Sequence, residues 1–372
     1  MHPIVLFISG GGSLSGLLVA ALLLARRDGN RRAPRVLSAL MLLFSLGIVH
    51  PILSVAWPPA SRLHMVLLVE PFQFLIAPII GAYFRVLLLP GISLRPRHFL
   101  HALPFVLLGV FGLLPLPSSE PLETSARIPV ITGWLWALLV VQAFLYLIPS
   151  LRLLHRYRRS LPDQESNLAG IDLGWLMWFS QLFLALYVSY AVILVIMIRG
   201  PYSFPVRGSL SIALSVLVFL IGYRGLLQRE TPAVEDLEAR SPRVQEKYQK
   251  TSIPADEVEE LKTRLVRAME TEKLYLDPEL RLSDLVERLH ATRNQLSYVI
   301  NQRFGKNFYN FVNEYRVGEV LRLMDEGSYE DKKILALAFD SGFNSKPAFN
   351  LVFKKQTGLT PSEYWRGKKK KV

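Results

Sequence analysis

Seven stretches of the first 227 residues carry apolar side chains almost without interruption, at about 4–25, 36–57, 64–84, 99–116, 128–149, 175–198 and 209–227. Each is close to the ~20 residues that a helix needs to cross a hydrocarbon layer ~30 Å thick. After residue 228 the pattern changes. Apolar positions now recur every three or four residues between charges, which predicts short amphipathic helices. Residues 256–269 place Val258, Leu261, Leu265 and Met269 on one face. Residues 282–290 bury Leu285, Val286 and Leu289, and residues 308–326 carry Phe311, Tyr315, Val320 and Leu323 at helical spacing. The expected fold class is all-α: a seven-helix transmembrane bundle, then a soluble domain with two helix-turn-helix units on a long linking helix.

The soluble half is punctuated by capping signals. Thr292, with Gln295 three residues on, predicts a capping box that starts the helix TRNQLSYVINQRF, and Gly305 stops it. Leu296, Val299 and Ile300 form its core face, which leaves Arg293, Asn294, Ser297, Tyr298 and Asn301 outward. The arrangement recurs downstream. Residues 331–341 form a helix closed by Gly342, and Phe343 plugs the turn. Ser345 caps the next helix, and Pro347 is tolerated in its first turn. Phe349, Val352 and Phe353 are core, and Lys346, Asn350, Lys354 and Lys355 face outward.

Helix, tight turn and capped second helix, twice over, resembles the AraC/XylS family of bacterial transcription regulators. The resemblance rests on ILALAFDSGFNSKPAFNLVFKKQTGLTPSEYW and RNQLSYVINQRFGKNFYNFVNEYRV, and includes Gly342, Phe343, Phe349, Phe353, Gly358, Pro361 and Arg316. It covers about residues 255–367. Leu351 departs from the family where a polar residue is common on the second recognition helix, and Val320 stands where Ala is frequent. The resemblance implies double-stranded promoter DNA as partner, with one recognition helix in each of two neighbouring major grooves. The expected DNA-binding residues are Arg293, Asn294, Ser297, Tyr298, Asn301, Ser345, Lys346, Asn350, Lys354 and Lys355.

Charge placement orients the apolar half. Residues 1–228 hold 17 Arg, no Lys and 7 acidic residues. Twelve of those arginines fall in the loops after spans 1, 3 and 5, and four in the opposite loops. By the positive-inside rule the first set is cytoplasmic, which puts the N-terminus outside and the tail inside. The expected location is the bacterial cytoplasmic membrane, with the lipid bilayer as a second partner. The basic cluster follows span 1 rather than preceding it, so that span reads as an anchor and not a cleaved signal. Residues 228–253 read as a juxtamembrane linker with room for a dimer contact, 254–367 as the DNA-binding domain, and 368–372 as a basic tail.

Within the spans, His50 and Glu70 each precede a proline and lie at similar depth from the outer surface. With Gln73 they define a candidate sensor pocket for a small-molecule or membrane signal. A structural ion pair, or a Glu70 that reaches the headgroups, is the blander reading and the favoured one. Gln142 is a candidate for an interhelical hydrogen bond. The chain has no Cys, which excludes disulfides and thiolate zinc sites. No lysine precedes Lys247, which excludes a retinal Schiff base in the spans. No catalytic set, cofactor or metal site is expected. The net charge of +13 suits nucleic acid or anionic lipid alike. The reading is a membrane-anchored, non-enzymatic transcription regulator that senses an unknown signal. The alternative is a membrane transporter or enzyme with a regulatory cytoplasmic tail.

Overall fold

The computed structural model describes residues 3–26, 32–56, 70–89, 102–113, 127–197, 205–228, 254–326 and 334–369. Among them the chain is all-α, with helices, short 3-10 turns and no strand. It divides into two compact units. One comprises Met1–His155 and Leu173–Ala233; the other comprises Arg156–Asp172 and Val234–Val372.

The first unit holds α1 (Pro3–Ala25), α2 (Arg32–Ala56), α3 (Gln73–Leu88), α4 (Leu103–Leu113), α5 (Arg127–Ser160) as far as His155, α6 (Gly174–Met197) and α7 (Pro205–Leu226). Small residues let α1, α2 and α7 approach closely. A Cβ on Gly12 would strike the Ser215 hydroxyl, one on Gly16 the Ser45 hydroxyl, and one on Gly225 the Leu37 side chain. The Ser13 hydroxyl donates to the Ser45 carbonyl (3.2 Å) and the Ser38 hydroxyl to the Ala20 carbonyl (3.0 Å). Packing of this kind substitutes for a hydrophobic driving force where the surroundings are themselves apolar.

Two helices outrun the sequence reading. The third apolar stretch was expected to end at residue 84, yet α3 continues to Leu88. Nothing breaks it until Leu89, which precedes Pro90 and turns out of the helical region at φ −132°, ψ 70°. Pro78 sits inside α3 and removes the donor for the Phe74 carbonyl. Gln142 of α5 supplies a replacement, its Nε2 donating to that carbonyl at 3.1 Å. This is the interhelical bond expected of Gln142. The fifth stretch was expected to stop at 149, but α5 runs through Pro149 to Ser160.

The second unit holds α8 (Ala255–Glu270), α9 (Leu282–Arg288), α10 (Arg293–Phe304), α11 (Phe308–Asp325), α12 (Ile334–Asp340), α13 (Lys346–Thr357) and α14 (Pro361–Lys369). It has two hydrophobic cores threaded on α11. The first gathers Leu261, Leu265 and Met269 of α8, Leu285, Leu296, Val299 and Ile300, and Phe308, Phe311 and Val312 at the start of α11. The second gathers Val317, Val320, Leu323 and Met324 farther along α11 with Leu337, Phe343, Phe349, Val352 and Phe353. Val320 is fully enclosed there, so the larger side chain in place of alanine adds packing.

Candidate nucleic-acid interface

The first helix-turn-helix pivots on His290, held at φ 46°, and restarts at Thr292. The Thr292 hydroxyl accepts from the Gln295 amide (3.2 Å), and the Gln295 side chain accepts from the Thr292 amide (2.7 Å). Both orphan donors at the start of α10 are thereby satisfied. Gly305 closes the helix at φ 66°. The second unit repeats the plan. Gly342 turns the chain at φ 90° and Phe343 is buried behind it. The Ser345 hydroxyl caps α13 by accepting from the Ala348 amide at 3.4 Å. Gly358 ends α13 at φ 77°.

On α10, Asn294 is exposed, and Arg293, Tyr298 and Asn301 are half-buried. Tyr298 packs against the first core, and the Asn301 side chain donates to the Ser297 carbonyl at 2.9 Å. Ser297, expected to face outward, is only 4% exposed and leaves the set of candidate contacts. It follows Leu296 by ~100° around the helix, on the flank of the buried face, and its side chain is too short to emerge. Gln302, eight residues after Asn294 and four after Tyr298, is exposed on the same face and was missed, although helical spacing alone marks it. On α13, Lys346, Asn350, Lys354 and Lys355 are exposed, and the capping Ser345 is half-buried. Lys355 reaches across to Asn310 of α11 at 3.3 Å. Leu351 stands 69% exposed among these polar residues.

The cores meet around one buried cation. Arg316 of α11 is 1% exposed. Its Nε donates to the Tyr275 carbonyl (2.8 Å), and Nη2 to the Asp277 carbonyl (2.7 Å) and the Ser166 hydroxyl (3.1 Å). Nη1 donates to the Ser166 carbonyl (3.1 Å) and the Asn313 side chain (3.3 Å). Burial lowers the Arg316 pKa to about 10, against the opposing field of Asp277. One turn on, Glu319 is held down at about 2, chiefly by the Arg322 guanidinium bonded to it, with help from Lys273. Tyr275 is pushed up to about 12 by desolvation and by Glu319, and so stays a neutral donor to that carboxylate (3.2 Å). The resemblance marked Arg316 without a role; the structure gives it one.

Residues 285–367 match the family model described as a helix-turn-helix domain. The tail is an AraC-type helix-turn-helix domain. Comparison with curated proteins and with solved structures found no match. The match begins in α9 and ends in α14, so it includes both recognition helices and the helix between them. An AraC-type domain is the DNA-binding part of a transcription regulator.

The candidate sensor residues lie in the first unit. His50 falls within α2, and Glu70 opens the 3-10 turn Glu70–Phe72 that leads into α3. Their side chains, and hence any pairing between them, lie outside the described residues. Gln73, the first residue of α3, is half-buried. Most of the linker 228–253 and the end of the basic tail are also outside the described residues.

Proposed function

We propose that the chain is a membrane-anchored, sequence-specific transcription regulator whose apolar half responds to a signal and whose AraC-type domain reads two neighbouring major grooves. The observation that carries this is the pair of capped helices, α10 and α13, joined by the 18-residue α11. At ~1.5 Å per residue α11 is ~27 Å long, shorter than the ~34 Å turn of B-DNA but of the same order. Arg293 and Asn294 on α10 and Asn350 on α13 are assigned to base edges; Lys346, Lys354 and Lys355 are assigned to phosphates.

Anchoring is supported by helix length and composition. Leu6–Ala25, Arg32–Val49 and Ala137–Asp163 are long and apolar enough to cross a membrane, and Gln73–Leu88, Gly174–Ser189 and Ile212–Leu226 are shorter apolar helices. Large apolar side chains such as Phe7, Leu145, Trp178 and Phe219 stand exposed on the first unit, as a lipid-facing surface requires. In this reading seven helices cross the cytoplasmic membrane, the N-terminus lies outside, and His50, Glu70 and Gln73 line the sensing pocket. A homodimer through residues 228–253 would double the DNA site.

Chromosomal crosslinking and sequencing of the full-length protein tests the reading, beside an Arg293→Ala, Lys354→Ala variant. Discrete promoter peaks that vanish in the variant are expected. An absence of peaks across growth conditions would refute it. Membrane anchoring is tested separately, by whether the protein resists carbonate extraction from the membrane fraction.

A further inference from the structure

Arg156–Asp172 belong to the same compact unit as the AraC-type domain, although 82 residues of chain separate Asp172 from Ala255, where α8 begins. They comprise the end of α5, the 3-10 turn Leu161–Asp163 and a short loop that leads to α6. The loop is tied at its base, where the Tyr157 hydroxyl donates to the Ile171 carbonyl at 2.7 Å. An Arg158–Asp172 ion pair at 3.6 Å adds to the tie.

The tip of this loop is built into the DNA-binding domain. The Ser166 carbonyl accepts from both Arg316 Nη1 and Asn313 Nδ2, each at 3.1 Å. The Ser166 hydroxyl accepts from Arg316 Nη2 (3.1 Å) and donates to the Leu280 carbonyl (2.5 Å). The Gln164 carbonyl accepts from the Leu282 amide at 3.1 Å, which satisfies a donor at the start of α9. Glu165 forms an antiparallel bridge with Arg281 and an ion pair with it at 3.6 Å. Ser166 is 1% exposed.

The place of docking gives the contact its meaning. Asn313 and Arg316 fall between the buried α11 residues of the first core, which end at Val312, and those of the second, which begin at Val317, with partly buried Tyr315 packed against the first and Tyr309 against the second. Leu280 and Leu282 belong to the segment that launches the first helix-turn-helix. Gly342, the turn of the second, lies so close that a Cβ there would meet the Tyr275 carbonyl and Arg316 Nε. The loop tip therefore occupies the junction on which the relative setting of the two recognition helices depends.

We propose that residues 161–172 are a regulatory strap, and that Arg316, Asn313 and the 277–282 turn form the socket that receives it. With the strap seated, the two reading heads hold one relative setting. With the strap withdrawn, Arg316 Nη1 and Nη2, Asn313 and the Leu282 amide lose partners at once, and the junction relaxes. Because the strap continues α5 and leads into α6, a shift of either helix moves the tip. This rests on the proposed function and names its route of regulation, separate from the linker 228–253. A signal acts through the strap only so far as it favours one seating over the other.

The test uses the full-length protein in lipid nanodiscs and sheared genomic DNA of the source organism as probe. The native chain has no cysteine, so Glu165→Cys with Arg281→Cys forms a single disulfide. Directly paired antiparallel residues stand about 4.5–5.5 Å apart at Cα, within disulfide range. The oxidised pair locks the strap; Glu165→Arg sets two cations against each other and unlatches it, and adding Arg281→Glu restores the attraction. Retained fragments are counted by sequencing, and amide exchange follows Leu282, α10 and α13. The expected result is faster Leu282 exchange in Glu165→Arg, unchanged exchange in α10 and α13, and retention differing about fivefold or more between locked and unlatched forms. Retention that differs less than this overturns the strap as a regulator. So does a loss of retention that comes only with faster exchange in α10 and α13, which marks a structural brace. Specific retention by neither form nor by the native protein would instead refute the DNA-reading function itself.

Discussion

Replacing Arg316 by lysine tests whether a planar fork of donors, and not merely positive charge, holds the junction. The guanidinium makes five hydrogen bonds, to the Tyr275 and Asp277 carbonyls, to the carbonyl and hydroxyl of Ser166, and to Asn313. An ammonium on a flexible stem has three donors that radiate from one atom and cannot span partners arranged around a fork. About three bonds from a buried cation are lost, at roughly 1.5 kcal/mol or more each, and the carbonyls they leave are buried. Lysine also starts from a lower pKa, and the burial that lowers Arg316 to about 10 favours release of its proton. The expected destabilisation is about 3–5 kcal/mol, the range found when one partner of a buried charged network is removed. Hydrogen exchange on the full-length protein reads this out locally. With tenfold in protection for each ~1.4 kcal/mol, amides of α9 and α11 should exchange roughly 100-fold to 3,000-fold faster. Arg303→Lys, at an exposed ion pair with Glu259 (3.0 Å), should change protection by less than ~0.5 kcal/mol. An Arg316→Lys effect below about tenfold would refute the claim that fork geometry carries the junction.

Thr292→Ala removes the hydroxyl that accepts from the Gln295 amide, while the Thr292 backbone amide can still donate to the Gln295 side chain, and should destabilise α10 by ~1 kcal/mol, seen as faster exchange confined to that helix. Gly342→Ala puts a Cβ at φ 90° against the Tyr275 carbonyl and should cost about 2–4 kcal/mol, with a fall in melting temperature that Gly305→Ala, where the Cβ meets nothing, does not match. Glu319 has its folded pKa at about 2, below its ordinary value, so its contribution is complete above the ordinary carboxylate pKa and disappears as pH falls from there toward 2. Melting temperature should therefore decline across that acid window, and Glu319→Gln should flatten the decline; an unchanged profile in the variant would count against the pairing with Arg322.

Local signals carried most of the soluble fold. Thr292 with Gln295, Ser345, Gly305 and Gly358 each act within one helical turn, so spacing alone located the ends of α10 and α13. Helix ends in the apolar half were less legible. A proline inside a long apolar helix reads as a terminator, as at Pro149, where the fifth stretch was expected to stop, yet α5 runs on through it; Pro78 inside α3 is accommodated because Gln142, 68 residues from the carbonyl it serves, supplies the missing donor. Ser297 shows the limit of reading a helix face from polarity, since a short hydroxyl on the flank of a core is covered by its neighbours.

The strap was illegible for a different reason. Local spacing pairs Arg316 with Glu319 three residues on, yet that carboxylate is taken by Arg322 and Lys273. Arg316 turns instead to Ser166, 150 residues earlier, and to carbonyls that no side-chain pattern records. Nor did polarity distinguish the loop after the fifth apolar stretch from any other. What does carry information is the placement of an arginine in a helix between two apolar clusters with no free local carboxylate. Burying that charge demands several oxygen partners at once. When the surrounding domain supplies only part of them, the remainder must come from another segment of the chain. In this protein that segment is the loop around Ser166, which joins two apolar helices.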